Sequence, residues 1–166
     1  MQEVFFTTEE CEKIIEFSKM YEKHSSSEWW KGNNTNYNAW HLFRNDETEW
    51  IFKKLLEYIL NQTEVKILKE INVIHLHNLK SGNKFEPHID KNSEFNVGVC
   101  LNDNYKGGEL IYYNPLYILP KIKGKIYTFY GSRNHEVKEV IDGERWSLIG
   151  FFQKGTIKIK NKNNII

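Results

Sequence analysis

The hydrophobic pattern of the chain changes near residue 65, and this change restricts the fold more than any other feature. Beyond it, short stretches rich in Ile, Val, Phe and Tyr are separated by breaks of Gly, Asn, Asp or Pro, which is the pattern of β-strands joined by turns. Several short strands at nearly regular spacing are typical of a β-barrel or a jelly roll. The predicted strands cover residues 67–77, 95–102, 109–114, 125–130, 135–140 and 146–153.

The residues before this point show helical spacing instead. Thr7 and Glu10 predict a capping box, in which a hydroxyl and a carboxylate satisfy free amides of the first helical turn. The apolar face that follows predicts a helix ending near Lys23, and a second helix is predicted from residues 46–48 to about residue 61. The predicted fold class is therefore mainly β with N-terminal helices, an α+β protein.

The segment between the two predicted helices is rich in tryptophan, and its residues 25–38 form a predicted loop. Two interpretations of Trp29, Trp30 and Trp40 stay open at this stage. They form a lid that binds substrate, since binding residues concentrate on loops, or they pack beneath the β-rich part of the chain.

Length and composition indicate one domain. The chain has 166 residues, which is the usual size of a single domain. We divide it into a helical support and lid segment (1–64), a β core (65–155) and a tail (156–166) that is a frayed strand or disordered. A net charge of +1 excludes a strongly basic protein. No membrane span or signal peptide is recognisable, so we expect a cytoplasmic protein without a membrane partner.

A short run of residues carries two candidate metal ligands. His88 and Asp90 stand two residues apart, so on an extended segment their side chains point to the same side. His135, at the start of a later strand pattern, is the best third ligand. Two imidazoles and one carboxylate on one side of a metal form the facial triad of non-haem Fe(II) oxygenases, which leaves positions open for a cosubstrate and O₂.

An arginine follows this triad in the sequence and provides a candidate anion site. Arg145 and Ser147 are two residues apart, so both side chains can meet one anion, such as the far carboxylate of a dicarboxylate that chelates iron. The chain has only three arginines. For Arg44, another of the three, we predict a salt bridge with Glu47.

From about residue 72 to residue 152 the chain resembles the 2-oxoglutarate- and Fe(II)-dependent dioxygenases, and within them the prolyl-4-hydroxylase-like group. The resemblance rests on ordered blocks over about half of the chain. The blocks are Asn78–Asp90, Leu101–Asp103, Gly107–Leu110, Gly124–Phe129, His135–Val137 and Gly143–Leu148.

The resemblance implies a double-stranded β-helix, a cupin-like jelly roll with supporting helices. It implies that His88, Asp90 and His135 are catalytic metal ligands for Fe(II), and that Arg145 pairs with the distal carboxylate of 2-oxoglutarate, with Ser147 adding a hydrogen bond. The implied reaction uses O₂, with ascorbate as a candidate reductant. It converts 2-oxoglutarate to succinate and hydroxylates a C–H bond, above all of a prolyl or other residue in a peptide or protein.

The chain departs from the family pattern at three positions. Leu79 and Cys100 stand where the family often has tyrosines that line the cosubstrate pocket, so these two positions are the expected further cosubstrate contacts. His77, Tyr112 and Tyr127 are neighbours that could replace the missing tyrosines.

The third departure is Phe151, which stands where the nucleic-acid-repair branch has a second arginine. A nucleic-acid partner is therefore not expected. Two other functions stay open. One is the same chemistry on a small molecule, such as a free amino acid. The other is a metal-binding interaction module without catalysis.

Overall fold

The computed structural model describes residues 5–25, 37–161 and 165–166. Helix α1 (Thr8–Glu16) continues into a 3₁₀ turn (Phe17–Lys19), and helix α2 spans Glu49–Gln62. All other elements are strands. They are β1 (Lys23–Ser25), β2 (Asn38–Phe43), β3 (Val65–Ile67), β4 (Val73–Lys80), β5 (Phe85–His88), β6 (Ser93–Cys100), β7 (Lys106–Gly107), β8 (Leu110–Tyr112), β9 (Tyr117–Ile118), β10 (Ile126–Tyr130), β11 (His135–Val137), β12 (Val140–Asp142), β13 (Glu144–Gln153) and β14 (Ile157–Ile159).

The strands form two main antiparallel sheets. The major sheet has six strands in the order β1-β2-β4-β13-β6-β10, and the minor sheet has four in the order β5-β11-β8-β9. Two short pairs, β7 with β12 and β3 with β14, complete the described strands. Most sheet neighbours are distant in sequence, as in a jelly roll. The predicted mainly β fold with N-terminal helices is confirmed.

Side chains alternate between the two faces of the major sheet along each strand, and both faces are buried. One face packs against the two helices in a core that includes Phe52 of α2, Leu76 of β4 and Leu148 of β13. The other face packs against the minor sheet in a second core that includes Tyr127 and Val137. Of the functional residues described below, Arg145 and Ser147 belong to the major sheet, and His88 and His135 belong to the minor sheet.

The predicted capping box is present at the start of α1. The Thr7 amide donates to Glu10 Oε2 at 2.8 Å, and the Glu10 amide donates to Thr7 Oγ1 at 3.2 Å. The helix ends earlier than predicted, because Lys23 begins β1 and pairs with Trp40 of β2. A sheet partner distant in sequence thus overrides the local helical pattern.

Trp40 packs in the interior. Its ring is 6% exposed and stacks on Trp146 of β13, with ring centroids 5.5 Å apart. The packing interpretation is therefore confirmed for Trp40, while Trp29 and Trp30 lie outside the described residues.

One further local expectation differs from the structure. Arg44 does not pair with Glu47; its guanidinium makes a two-point contact with Glu49, in the first turn of α2, and also contacts Glu70. Of the two possibilities stated for the tail, a strand is present at its start, where β14 pairs with β3. No helix in the described ranges is long and apolar enough to cross a lipid bilayer.

Candidate active site

The first two candidate ligands come from the end of β5 and the turn after it. His88 is the last residue of β5, and its Nδ1 lies 2.7 Å from the carbonyl oxygen of Glu86. Asp90 is held in the following turn, where its amide donates to the Gly131 carbonyl at 2.7 Å. Both side chains are partly buried.

His135 completes the group from the neighbouring strand. It begins β11 and is the register partner of His88 on β5, so the two imidazoles stand side by side with ring centroids 4.3 Å apart. Its Nδ1 lies 2.8 Å from the carbonyl oxygen of Arg133. When each Nδ1–H donates to its backbone carbonyl, each Nε2 is the unprotonated nitrogen, as a metal-binding histidine requires.

The three side chains converge closely enough to share one metal ion. One potential ligand atom from each residue lies within 4.8 Å of the other two. The His88 Nε2 atom is 3.7 Å from Asp90 Oδ1, and the His135 Nε2 atom is 3.8 Å from Asp90 Oδ2. Two neutral imidazoles and one carboxylate are donors that suit a non-haem iron site.

Asn96, which the sequence analysis did not select, holds the carboxylate of this group in place. It is fully buried on β6, and its Nδ2 donates to Asp90 Oδ2 at 2.7 Å. The Ser93 hydroxyl contacts the Asn96 amide oxygen and thereby fixes the orientation of the amide. The sequence signal for Asn96 was a polar residue within the mainly apolar strand β6. A buried amide requires a hydrogen-bond partner, so such a residue is a candidate for a role in the site.

Burial shifts the pKa values of Asp90, His88 and His135 in the direction that favours their uncharged forms. It raises the pKa of Asp90 to about 6, although His88 and the Asn96 hydrogen bond act in the opposite direction. Burial lowers the pKa of His88, with a further decrease from His135, and burial also lowers the pKa of His135. A bound cation would favour the ionised carboxylate and the neutral imidazoles, so the electrostatics of the site fit a metal ion.

Arg145 lines the same cavity as a buried cation. It is 4% exposed on β13, and its Nη1 donates to Ser147 Oγ at 3.0 Å. Within the described ranges no carboxylate oxygen lies within 4 Å of its guanidinium. A buried charge without a counter-ion is costly, so the cavity wall at Arg145 is suited to an anion.

The cavity that the triad and Arg145 line has a volume of about 110 Å³. Its wall is mainly apolar, and among its polar groups are the buried hydroxyls of Tyr112 and Tyr127, neither of which donates a hydrogen bond to a described residue. Dry walls around a few polar groups at fixed positions are typical of a small-molecule site.

Leu79 and Cys100 do not line this space. Both are buried in the core between the two sheets, and burial raises the pKa of the Cys100 thiol. The alternative residues that the sequence analysis named, His77, Tyr112 and Tyr127, all line the cavity.

The sequence comparisons agree with this arrangement. Residues 74–153 match the sequence model of the 2OG-Fe(II) oxygenase superfamily, and this range contains the triad and Arg145. No curated protein matches the chain. This part of the chain is a 2OG-Fe(II) oxygenase domain.

Solved oxygenase structures share the fold over most of the chain. A Pseudomonas putida prolyl-4-hydroxylase is 15% identical with a TM-score of 0.68, and the match covers 92% of this chain and 90% of that chain. A prolyl hydroxylase from Trichoplax adhaerens, in complex with a peptide fragment of hypoxia inducible factor, is 14% identical with a TM-score of 0.69, covering 86% and 76%.

A third similar structure belongs to an enzyme with a different reaction. The non-haem α-ketoglutarate-dependent epimerase SnoN from nogalamycin biosynthesis is 12% identical with a TM-score of 0.66, and the match covers 96% of this chain and 79% of that chain. The shared fold therefore carries more than one chemistry. The cofactors of the superfamily are Fe(II) and 2-oxoglutarate, with O₂ as the oxidant.

The wall of the oxygenase cavity next to His88 is aromatic. Tyr37, His77 and Phe85 form a cluster of edge-to-face rings, with centroid distances of 4.7 Å between Tyr37 and Phe85 and 5.1 Å between Tyr37 and His77. Burial, with smaller contributions from nearby cations, keeps the pKa of His77 well below its usual value. The imidazole is therefore neutral at pH 7, and the cluster is an uncharged surface.

Proposed function

We propose that this domain is a hydroxylase that binds Fe(II) through His88, Asp90 and His135 and anchors 2-oxoglutarate on Arg145. The observation that carries the proposal is the buried guanidinium, which has no carboxylate partner among the described residues and lines the same cavity as a convergent His-Asp-His group. A dicarboxylate has the charge that Arg145 requires at one end and, as a 2-oxo acid, a chelating group at the other.

Each residue of the site has a defined part in this reaction. The two imidazoles and the Asp90 carboxylate hold iron on one side, while Arg145 and Ser147 orient the distal carboxylate of the cosubstrate. The apolar wall excludes water, which keeps the oxidation directed at the substrate. When bound, iron supplies the redox chemistry, in which O₂ oxidises 2-oxoglutarate to succinate and CO₂ and one oxygen atom enters a substrate C–H bond.

The proposed substrate is an uncharged residue of a peptide or protein, above all proline. The aromatic cluster beside His88 provides no carboxylate to pair with a lysyl or arginyl side chain. Uncharged rings suit the apolar face of a prolyl ring. The peptide complex of the Trichoplax adhaerens enzyme supports the proposal by showing that a related fold accepts a peptide.

The test is a product assay with matched substrates. Protein loaded with Fe(II) is incubated with 2-oxoglutarate, O₂ and peptide libraries that contain proline, alanine or lysine at a central position, and with free amino acids. We expect succinate formation and the gain of one oxygen atom in proline peptides. The His135→Ala and Arg145→Gln variants are expected to lose both products.

Two results would contradict parts of this proposal. Oxygen gain only in a free amino acid would replace the peptide substrate with a small molecule. Wild-type turnover in the His135→Ala variant would reject the proposed metal site itself.

A further inference from the structure

Tyr127 has a buried hydroxyl with no assigned role in the proposed site. The residue lies on β10, lines the cavity and is 3% exposed. Its oxygen interacts with the Arg145 guanidinium, but the hydroxyl donates no hydrogen bond to any described residue. Burial raises the pKa of this hydroxyl far above physiological pH, so it keeps its proton.

A glycine on the adjacent strand makes room for this side chain. Gly98 of β6 is the register partner of Tyr127. A Cβ atom at Gly98 would lie 2.1 Å from Tyr127 Cζ and 2.4 Å from its hydroxyl oxygen. The outer end of the phenol ring, rather than its base, therefore lies over Gly98, and any larger residue at this position would displace it.

This path directs the hydroxyl toward the strand that carries the anion site. Strand β6 lies between β10 and β13, and Gly98 also pairs with Ile149 of β13, two residues from Ser147. The phenol thus crosses β6 toward Arg145. The electrostatic effect of the guanidinium on the Tyr127 pKa is consistent with this proximity.

Arg145 cannot satisfy the proton of this hydroxyl, because a guanidinium only donates hydrogen bonds. A buried O–H without an acceptor costs free energy, and so does a buried cation without a counter-ion. One anion bound between the two groups would remove both costs. The carboxylate that Arg145 is proposed to bind has the charge and the spare lone pairs to do so.

We propose that Tyr127 donates a hydrogen bond to the distal carboxylate of the cosubstrate, and that residue 98 is glycine because the phenol must cross β6 to reach it. The inference rests on the proposed function, since it assigns a further binding residue to the same 2-oxoglutarate site. It makes the anion site a combination of β10 and β13, with one charged donor, Arg145, and two neutral donors, Ser147 and Tyr127.

The test compares binding of 2-oxoglutarate and oxalate by calorimetry, using protein loaded with Mn(II) and kept anaerobic. Oxalate can chelate the metal but has no distal carboxylate. We expect Tyr127→Phe to weaken 2-oxoglutarate binding about 10- to 100-fold, the usual effect of a lost hydrogen bond to a charged group. Oxalate binding is expected to stay unchanged in the same variant.

Tyr130→Phe is the matched control. Tyr130 lies on the same strand and has a buried hydroxyl with no hydrogen-bond partner among the described residues, but it does not line the cavity. Loss of the Tyr130 hydroxyl is expected to leave the affinities for 2-oxoglutarate and oxalate unchanged. A thermal unfolding curve for each variant verifies that the protein is folded.

The role of Gly98 is tested by a double-mutant cycle. Gly98→Ala is expected to weaken 2-oxoglutarate binding in the wild-type protein, because the added Cβ displaces the phenol. In a Tyr127→Ala background the same change is expected to have no further effect, since no ring remains to be displaced.

The outcomes separate this inference from the proposed function. If Tyr127→Phe binds 2-oxoglutarate within about twofold of the wild type while Arg145→Gln loses binding, the Tyr127 contact is refuted and the proposed function stands. If the wild type loaded with metal does not bind 2-oxoglutarate, both are refuted. Equal losses for oxalate and 2-oxoglutarate would place the effect of Tyr127 at the metal and overturn the inference.

Discussion

The Asn96→Ala substitution tests whether the carboxylate of the triad is held by one buried amide. Asn96 is fully buried and donates to Asp90 Oδ2 at 2.7 Å. Alanine removes this donor and leaves few new unsatisfied groups, because the Ser93 hydroxyl keeps the carbonyl oxygens of Phe95 and Phe152 as acceptors at 3.1 and 3.0 Å. The main loss is therefore one hydrogen bond to a charged acceptor.

The size of the effect follows from that single bond. A hydrogen bond to a charged group contributes about 1.5–3 kcal/mol, which corresponds to a loss of about 10- to 100-fold in metal affinity. The substitution also raises the pKa of Asp90 beyond its present value of about 6, because the Asn96 hydrogen bond lowers this pKa. Protons then compete more strongly with the metal at neutral pH.

The assay is a calorimetric titration of metal-free protein with Mn(II) at pH 7.5, with Asn78→Ala as the control. Asn78 is also a buried amide, but it contacts Asn38 and Glu144 instead of the triad. Metal affinity within about twofold of the wild type in a folded Asn96→Ala protein would refute the reasoning. An equal loss in Asn78→Ala would attribute the effect to general destabilisation.

Three further predictions concern protonation, packing and the turn that carries Asp90. Metal affinity is expected to fall steadily as the pH decreases below about 6, where Asp90 becomes protonated; titrations between pH 5 and about 8 measure this. Trp40→Ala is expected to cost about 3–5 kcal/mol of unfolding free energy in urea, because it removes a buried ring that stacks on Trp146, without changing metal affinity. Gly131→Ala is expected to lower both stability and metal affinity, since its Cβ would lie 2.1 Å from the Ser93 carbonyl oxygen and 3.0 Å from that of Asp90.

The parts of the fold that could be predicted are those specified by local pattern. Strands β6, β10 and β13 alternate in hydrophobicity and end at turn residues, so periodicity located their ends within two residues. The strand predicted over residues 67–77 begins six residues before β4 begins and ends three residues before β4 ends. Strands β1 and β2 gave no comparable signal. Their pairing partners are distant in sequence, and the energy that holds β2 between β1 and β4 comes from side-chain packing such as that of Trp40.

The same distinction applies to the site. His88 and Asp90 were predictable because a spacing of two residues on extended backbone places both side chains on one side. His135 and Arg145 were selected by residue type and the family resemblance. Asn96 was not selected, because its role depends on β6 passing next to the turn that carries Asp90, which no local pattern encodes.

The predicted cosubstrate contacts Leu79 and Cys100 lie close to Arg145 and Ser147 but do not line the cavity. Leu79 is the register partner of Arg145, and Cys100 is the register partner of Ser147, so both stand beside the anion site on the inner face of the sheet. Their side chains are short and apolar and end in the core between the sheets. Side-chain length then decides which residue reaches the cavity. Tyr127 starts one strand farther away and still lines it, because Gly98 leaves its phenol a path across β6.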